Sequence, residues 1–353
     1  MAVHNGAKYV RLAIESVLSQ QGPNFELVIV DDASSDETPG IISSVSDPRI
    51  VVIRNERNIG QTRSLNLGLL RARAGLVARI DADDIYLPGK LAQQHALMAA
   101  QPDVAVCGTA AIKIDADGTA FGRFVPPTQA RDVLFSLCYR VPVCHVSVMM
   151  RRDAVLGVGG YDERYRYAAD YALWSTLAER GLRITNLNQS LMLYREFTQS
   201  LGAVHKVGES GSESAEIIQR NLAAFAGLEL SLDDCRAIAL LYFPAAGLTP
   251  AAVTRAYLHL RTAARAIYGR LPIGVRGELF ATLCWSLLKQ TGHRTAGSVD
   301  SESLWTTART FRRHPTVAAA CFATACGRWL GEDSMRRLKD AVVPFLLRGL
   351  RSR

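Results

Sequence analysis

The sequence predicts an α/β fold, with an open mixed sheet flanked by helices and followed by an all-helical C-terminal region. Two hydrophobic, strand-like runs, Phe25–Val30 and Leu76–Ile80, each lead into an acidic cluster. Helical patterns at 36–45 and 61–73 lie between the two runs. Alternating strands and helices are typical of an open α/β sheet, whose ligands bind beyond the carboxyl ends of the strands.

Hydrophobic periodicity predicts the remaining elements of this fold. Residues 115–127 have the composition of a loop, with a hairpin turn at Asp117-Gly118. We predict a sheet domain at residues 1–200, a Gly- and Ser-rich linker at 201–214 and a basic helical region at 215–353. Further helices are expected at 7–20, 88–98 and 170–180, and further strands at 50–53, 104–108, 145–150, 184–187 and 191–194.

The two acidic clusters, Asp31-Asp32 and Asp81-Ala82-Asp83-Asp84, indicate a binding site. Carboxylates this close repel one another unless a cation joins them, and a hard divalent metal is the natural partner. An aspartate after a strand can also be only a turn former or a helix N-cap. The first cluster fits both interpretations equally. The second favours a metal that carries a phosphate-bearing substrate, because three carboxylates in four residues bring no structural benefit.

The composition argues against a disulfide-rich protein and against a membrane-spanning one. The chain has 353 residues, is 48% hydrophobic and contains seven cysteines without a Cys-x-x-Cys pair. An odd cysteine count without such spacing favours reduced thiols over a disulfide framework. We find no signal peptide, and no apolar run reaches the roughly 18 residues of a membrane span. We therefore expect a cytoplasmic protein.

The net charge of +8 is concentrated near the C-terminus, where residues 255–353 hold 17 Lys or Arg against 6 Asp or Glu. No zinc-finger spacing or aromatic RNA-binding motif accompanies these charges, so we expect no nucleic-acid partner. An apolar stripe from Met335 to Leu346 among basic residues predicts an amphipathic helix. Such a helix can dock peripherally on the anionic inner face of the cytoplasmic membrane, and the alternative is packing on the preceding helices.

The first 200 residues contain an ordered set of short motifs. The motifs are Asn5–Tyr9, Ser16–Gln20, Phe25–Asp36, Asn58–Gly60, Asn66–Gly68, Ala78–Asp84, Leu87-Pro88, Gly159–Glu163, Tyr167–Trp174, Leu177–Gly181 and Tyr194-Arg195. Each motif is common alone, but the ordered set is specific, and it resembles family 2 glycosyltransferases with the GT-A fold.

The resemblance implies an enzyme that moves a sugar from a nucleotide-diphosphate donor to an acceptor hydroxyl with inversion. It implies that Asp32 contacts the nucleotide base, that Asp83 binds Mg²⁺ or Mn²⁺, and that Asp81 contacts the ribose or the metal. Arg63 stands where relatives often carry a basic residue facing the nucleotide, although a solvated helix charge is an equal alternative. Asp170 matches the catalytic base.

The chemistry requires these residue types. A metal stabilises the charge on the departing diphosphate, and a carboxylate takes the proton of the acceptor hydroxyl. Asp170 also fits a helix N-cap, and Ala169 and Ala172 replace acidic residues found in relatives. We expect no proton-transfer role for His4, and for His145 we favour a core histidine over an acceptor contact.

Alternatives to this function come from other classes. Processive relatives carry Gln-x-x-Arg-Trp, whereas Ala325 precedes Arg328-Trp329 here, which favours transfer of a single sugar. The resemblance alone implies a bacterial surface glycan or a lipid-linked acceptor. A non-catalytic nucleotide-sugar or glycan-binding module on a decayed GT-A fold is the main alternative. A metal phosphohydrolase is a third, although Ile85 replaces the threonine typical of that chemistry.

The beginning of the chain departs from the family pattern. Relatives place an apolar strand before the segment that matches Ala2–Asn5, and only Met1 precedes it here. We expect a truncated reading of the start, and the alternative is a shortened strand that begins at Met1.

Overall fold

The computed structural model describes residues 1–197, 209–241 and 248–270, together with 272, 275 and 279. The chain divides into two compact units, residues 1–217 and 218–353. The predicted stripe at 335–346 and the Arg328-Trp329 segment lie outside the described residues. Within the part that is described, no helix combines the length and apolarity needed to cross a membrane.

The strands of the first unit form two hydrogen-bonded sheets. In the first sheet β1, β2 and β3 are parallel, with Ala2 opposite Val30 and Leu27 opposite Ile50. The second sheet is mixed, in the order β4-β8-β6-β9-β5, with β7 paired to β6. The strands are β1 (Ala2–Val3), β2 (Leu27–Asp31), β3 (Ile50–Arg54), β4 (Leu76–Ala78), β5 (Ile85–Tyr86), β6 (Val104–Ile114), β7 (Ala120–Phe124), β8 (Met149–Arg151) and β9 (Arg183–Arg195).

Helices alternate with the strands in the first unit and make up the regular structure described for the second. Helix α8 begins in the first unit and ends in the second. The helices are α1 (Val10–Leu18), α2 (Thr38–Ser43), α3 (Gln61–Arg71), α4 (Lys90–Ala100), α5 (Ala130–Leu137), α6 (Arg152–Gly157), α7 (Ala169–Glu179), α8 (Glu209–Ala226), α9 (Leu232–Leu240) and α10 (Pro250–Tyr268).

Helix α1 shows how the core forms. It buries Val10, Ala13, Ile14 and Val17, which are spaced by three, one and three residues and so share one helix face. These side chains belong to a hydrophobic cluster that also contains Ile29 of β2. The packing of this face against the sheet leaves the carboxyl ends of the strands free to carry polar residues.

Strand β6 is central in the second sheet and runs further than predicted. It pairs with β7, β8 and β9, and most of its residues are buried. The sequence prediction ended it at Gly108. A Cβ atom at Gly108 would lie 2.1 Å from Asn186 Oδ1, so this glycine permits close approach of β9 and does not end the strand.

A cavity of about 380 Å³ separates β2 from β4. Its walls include Leu27 and Val28 of β2 and Leu76 and Val77 of β4. The backbone nitrogen of Met1 lies at its edge and donates to Val28 O at 3.0 Å. The two sheets therefore face each other across this cavity, and β2 and β4 are not joined by hydrogen bonds.

Several elements differ from the sequence prediction. The predicted loop at 115–127 contains β7, and the predicted strand at 145–150 begins as a 3₁₀ turn at His145–Ser147. Two predicted strands at 184–187 and 191–194 are one strand, β9. Residues 209–214 of the predicted linker lie in α8. The division at residues 200 and 215 stays a prediction.

Candidate functional site

Three carboxylates that follow β4 form the centre of the candidate site. Asp81, Asp83 and Asp84 each offer an oxygen within 4.8 Å of the others. Burial and then the charge of Asp81 raise the pKa of Asp83 to about 6. Burial, followed by the charges of Asp81 and Asp83, raises the pKa of Asp84 well above its ordinary value. This mutual repulsion is what a bound cation would relieve.

The donor set fits Mg²⁺ or Mn²⁺. Both metals prefer hard oxygen ligands, and all three side chains are carboxylates. Asp84 Oδ2 is buried and has no hydrogen-bond partner within the described residues. A buried oxygen in this state is costly unless a ligand joins it. The metal prediction had named Asp83 and Asp81, and the structure adds Asp84 as a third candidate ligand.

Two arginines hold the acidic segment in place. Arg79 donates from Nη2 to Asp81 Oδ1 at 2.8 Å. The backbone N–H of Arg195, at the end of β9, donates to Asp84 Oδ1 at 2.8 Å, and its side-chain Nε donates to Asp83 O at 3.0 Å. The Arg195 guanidinium also lies 4.3 Å from the centre of the Tyr9 ring. The Asp81 and Asp84 carboxylates and the Asp83 backbone are thus held by contacts from Arg79, two residues before Asp81, and from the distant strand β9.

Asp32 lies at the carboxyl end of β2, in the position predicted for a contact with the base. Its Oδ1 accepts from Asn55 Nδ2 at 2.8 Å and from Ile59 N at 2.9 Å, and its Oδ2 accepts from Gly60 N at 2.9 Å. These donors lower its pKa, against the opposing effect of burial. The Ser64 side chain also hydrogen-bonds to this carboxylate, so the protein itself engages most of its roughly four acceptor sites. The base contact stays a prediction.

Arg63, the other predicted donor-binding residue, is engaged by a second loop. Its Nε donates to Glu163 Oε2 at 2.8 Å, in a pair whose side chains are about half exposed. Glu163 belongs to the segment that follows Gly159-Gly160, and nothing in the sequence pointed to its pairing with α3. The donor-binding role of Arg63 stays a prediction.

Asp170 lies in the first turn of α7. Ala168 is the N-cap, and Asp170 Oδ1 accepts from the neighbouring Tyr171 N at 2.8 Å. Asp170 is therefore not the helix N-cap considered as its structural alternative. Burial raises its pKa; the positive charge of Arg79 opposes this shift and the negative charge of Asp81 adds to it. The predicted base and the acidic cluster thus lie within electrostatic reach of each other.

The two histidines make structural contacts. His4 Nδ1 lies 2.7 Å from Asp32 O, and His145 Nε2 lies 2.8 Å from the hydroxyl of Tyr161. The His145 ring also meets the Trp174 ring edge-on at 6.0 Å. The expectations that His4 transfers no proton and that His145 is a core histidine stay predictions.

Comparisons with known proteins show which family the chain belongs to. The model of "Glycosyl transferase family 2" matches residues 1–158. EpsE of Bacillus subtilis, whose name assigns it provisionally as a glycosyltransferase, is 33% identical over 201 residues, which are 56% of this chain and 71% of EpsE. The Escherichia coli UDP-Glc:α-D-GlcNAc-diphosphoundecaprenol β-1,3-glucosyltransferase WfaP is 28% identical over 249 residues, which are 70% of this chain and 92% of WfaP.

The fold has a solved counterpart as well. Residues 1–349 of S. aureus TarS, crystallised in complex with UDP-GlcNAc, superpose with a TM-score of 0.53 at 17% identity, covering 82% of this chain and 87% of that one. At this identity the likeness shows the fold alone, which is the GT-A fold predicted from the sequence. The sequence match to EpsE, together with the matched family model, establishes that this chain is a glycosyltransferase that belongs to glycosyl transferase family 2.

Proposed function

We propose that this chain is an inverting, metal-dependent enzyme that moves one sugar from a nucleotide-diphosphate sugar to an acceptor hydroxyl. The observation that carries this proposal is the pairing of two features. One is the Asp81, Asp83 and Asp84 cluster beyond β4, and the other is Asp170 in the first turn of α7, a carboxyl whose pKa is raised by burial. A metal-binding set next to a proton acceptor is what an inverting transfer needs.

In the proposed reaction, Asp170 accepts the proton of the acceptor hydroxyl as its oxygen bonds to the anomeric carbon. The bond from that carbon to the diphosphate oxygen breaks at the same time, and the nucleotide diphosphate leaves with the electron pair. Attack from the face opposite the leaving group inverts the configuration. Because burial raises the pKa of Asp170, this carboxylate is a stronger base than an exposed aspartate.

Mg²⁺ or Mn²⁺ held by Asp83 and Asp84, with Asp81 beside the metal or the ribose, would neutralise the charge that develops on the leaving diphosphate. The chain's own residues do the rest of the work in this proposal. Arg79 orients Asp81, and Arg195 orients Asp83 and Asp84 through the contacts described above. In the proposal Asp32 receives the base and Arg63 meets the diphosphate.

The acceptor class is proposed from the relatives. WfaP is named for a lipid-diphosphate acceptor that carries GlcNAc, and TuaG of Bacillus subtilis is named for teichuronic acid biosynthesis. We therefore propose a bacterial surface polysaccharide or lipid-linked glycan as the acceptor.

An acceptor on a lipid would make peripheral contact of the basic C-terminal segment with the cytoplasmic membrane useful. Co-sedimentation with anionic vesicles, comparing the full chain with one that ends at Gly331, tests this contact, and equal sedimentation of both would exclude it.

A donor panel tests the proposed function. UDP-, GDP- and dTDP-sugars are incubated with the protein, Mn²⁺ and a short-chain lipid diphosphate carrying GlcNAc, and release of the nucleotide diphosphate is followed. We expect acceptor-dependent release and a product whose anomeric configuration, read by NMR, is inverted. Tight donor binding without turnover would instead indicate a binding module, and phosphate release from simple esters would indicate a phosphohydrolase. A product with retained configuration would exclude the proposed role of Asp170.

A further inference from the structure

Residues 161–168 form the loop that leads to Asp170, and this loop is attached to other elements at both of its ends. At its beginning, Asn66 of α3 donates from Nδ2 to Tyr161 O and accepts from Tyr161 N, both at 2.8 Å. A Cβ at Gly160 would lie 2.7 Å from Asn66 Oδ1, so glycine is required for this approach. The first attachment thus fixes Tyr161, nine residues before Asp170.

The second attachment comes from Glu213 of α8, which lies in the same compact unit as the loop. Its Oε1 accepts from Arg166 N at 3.0 Å, and its Oε2 accepts from Tyr167 N and Ala168 N, each at 2.9 Å. Three consecutive backbone N–H groups therefore converge on one carboxylate. Such a concave set of N–H groups favours an anion, and hydrogen bonds to an ionised acceptor are the stronger kind.

These three residues lead directly into α7, the helix that carries Asp170. Ala168 is the N-cap of α7, no side chain caps the helix from that position, and Asp170 follows two residues later. The Asp170 carboxylate accepts from the backbone N–H groups of Tyr171 and of Asp170 itself, and these contacts lie within α7 and do not hold the loop. The start of α7, and with it the direction of the Asp170 side chain, depends on where residues 166–168 are held.

We propose that Glu213 is a positioning residue for the transfer reaction, which holds the backbone of residues 166–168 so that Asp170 meets the acceptor hydroxyl. The proposal rests on the proposed function of Asp170 as the base. Glu213 does not touch substrate in this proposal and acts only through the loop. Because a catalytic group displaced by about 1 Å can lose two orders of magnitude in rate, a backbone anchor two residues away is well placed to matter.

Variants at Glu213 and a matched control test this role. Glu213→Gln keeps the shape and removes the charge, Glu213→Ala removes the acceptor, and Glu213→Asp keeps the charge on a shorter side chain. Glu216→Gln is the control, because Glu216 is an exposed glutamate three residues further along the same helix and its substitution removes the same charge. All five proteins, wild type included, are compared by circular dichroism before kinetics.

We expect Glu213→Gln to lower kcat about tenfold or more with an unchanged KM for the donor, Glu213→Ala to lower it further, and Glu213→Asp to recover part of the loss. Hydrogen exchange read by mass spectrometry should be faster across residues 164–168 in Glu213→Ala and unchanged in Glu216→Gln. Unchanged exchange, a kcat equal to that of Glu216→Gln, or a loss of helical signal in Glu213→Gln would each overturn the proposal. The kinetic probe is UDP-glucose with Mn²⁺ and the lipid-diphosphate acceptor, or whichever donor of the panel is turned over fastest.

A double variant separates this inference from the proposed function. If Glu213 acts through Asp170, adding Glu213→Gln to Asp170→Asn should cost little further activity, because the two residues act as one unit. Fully additive losses would overturn the positioning role while leaving Asp170 as the base. If Asp170→Asn alone were as active as the wild type, the base assignment would fail, and hydrogen exchange would still report whether Glu213 holds the loop.

Discussion

Arg79 and Asp81 form an ion pair in which Nη2 and Oδ1 lie 2.8 Å apart and the arginine side chain is only 3% exposed. Two further nitrogens of Arg79, Nε and Nη1, are buried without a hydrogen-bond partner in the described part of the chain. The arginine stands next to the carboxylates of Asp81 and Asp84, whose charges raise its pKa against the effect of burial. Its charge therefore compensates the acidic cluster from inside the protein.

Replacing Arg79 should destabilise the fold strongly. In Arg79→Met the apolar volume is kept, but Asp81 loses its ion-pair partner and the cluster loses a buried positive charge. Breaking one side of a buried pair costs about 3–5 kcal/mol of unfolding free energy, which urea denaturation measures. Arg164→Gln, which removes an exposed pair with Asp162, is the control and should change little. An unchanged urea midpoint in Arg79→Met would show that the cluster needs no internal cation.

Substitutions of Asp83 and of Asp81 should reduce activity to different degrees. We expect Asp83→Asn to abolish nucleotide-diphosphate release, because a lost metal ligand removes positive charge from the leaving group. Asp81→Asn should weaken release less, since a lost ribose contact affects mainly binding. Rates with Mn²⁺ and with EDTA, together with Mn²⁺ binding by calorimetry, measure both effects. A near wild-type rate for Asp83→Asn in EDTA would contradict the metal role.

Local sequence patterns predicted the parts of the site that are close in the chain. Asp31-Asp32 and Asp81–Asp84 were predicted at strand ends because a strand period and an acidic cluster are both readable over about ten residues. The structure confirms that Asp81 and Asp83 lie together beyond β4, and that Asp170 lies in the first turn of a helix. Each of these features depends on neighbours within a few positions.

Distant pairings were not readable in the same way. Glu163 and Arg63 are 100 residues apart, and Glu213 lies 45 residues beyond Ala168. The local sequence around Glu213 does not indicate which groups its carboxylate will bind. Because the stretch is rich in Gly and Ser, its composition predicts a linker at 201–214. Likewise, β9 was split into two short strands because its middle, at Asn188 and Gln189, is polar and exposed, although β6 pairs with β9 on both sides of it.

Asp170 should carry proton acceptance and little donor binding. Asp170→Asn keeps the shape of the side chain and removes its basicity, so we expect transfer to slow by roughly 10²-fold or more. The dissociation constant for the donor, measured by calorimetry with Mn²⁺, should stay within about twofold, because a base that acts in the transition state contributes little to ground-state binding. Equal transfer rates for the two proteins at saturating donor and acceptor would refute the assignment.

The pH dependence of transfer should reveal the raised pKa of Asp170. The base works only when deprotonated, so kcat should fall as the pH drops through that pKa. Since burial raises the pKa, the loss should occur at a higher pH than for an ordinary aspartate. The profile is measured at saturating Mn²⁺, which keeps the metal-binding carboxylates ionised. A rate that stays constant down to the ordinary range of aspartate would show that another group accepts the proton.

Substitutions of Arg63 and Glu163, which form an exposed ion pair, should change the affinity for the donor in opposite directions. If Arg63 meets the donor diphosphate, Glu163 competes for it, and Glu163→Gln should tighten donor binding. The gain should be only a few-fold, because an exposed pair is worth less than about 1 kcal/mol. Arg63→Gln should weaken donor binding by more, since it removes a positive charge from an anionic ligand. Dissociation constants for UDP-glucose, or for the donor that the panel selects, are measured by calorimetry at low and high salt. Equal affinities for wild type and Arg63→Gln would leave Arg63 as a surface charge whose role is to hold the loop through Glu163.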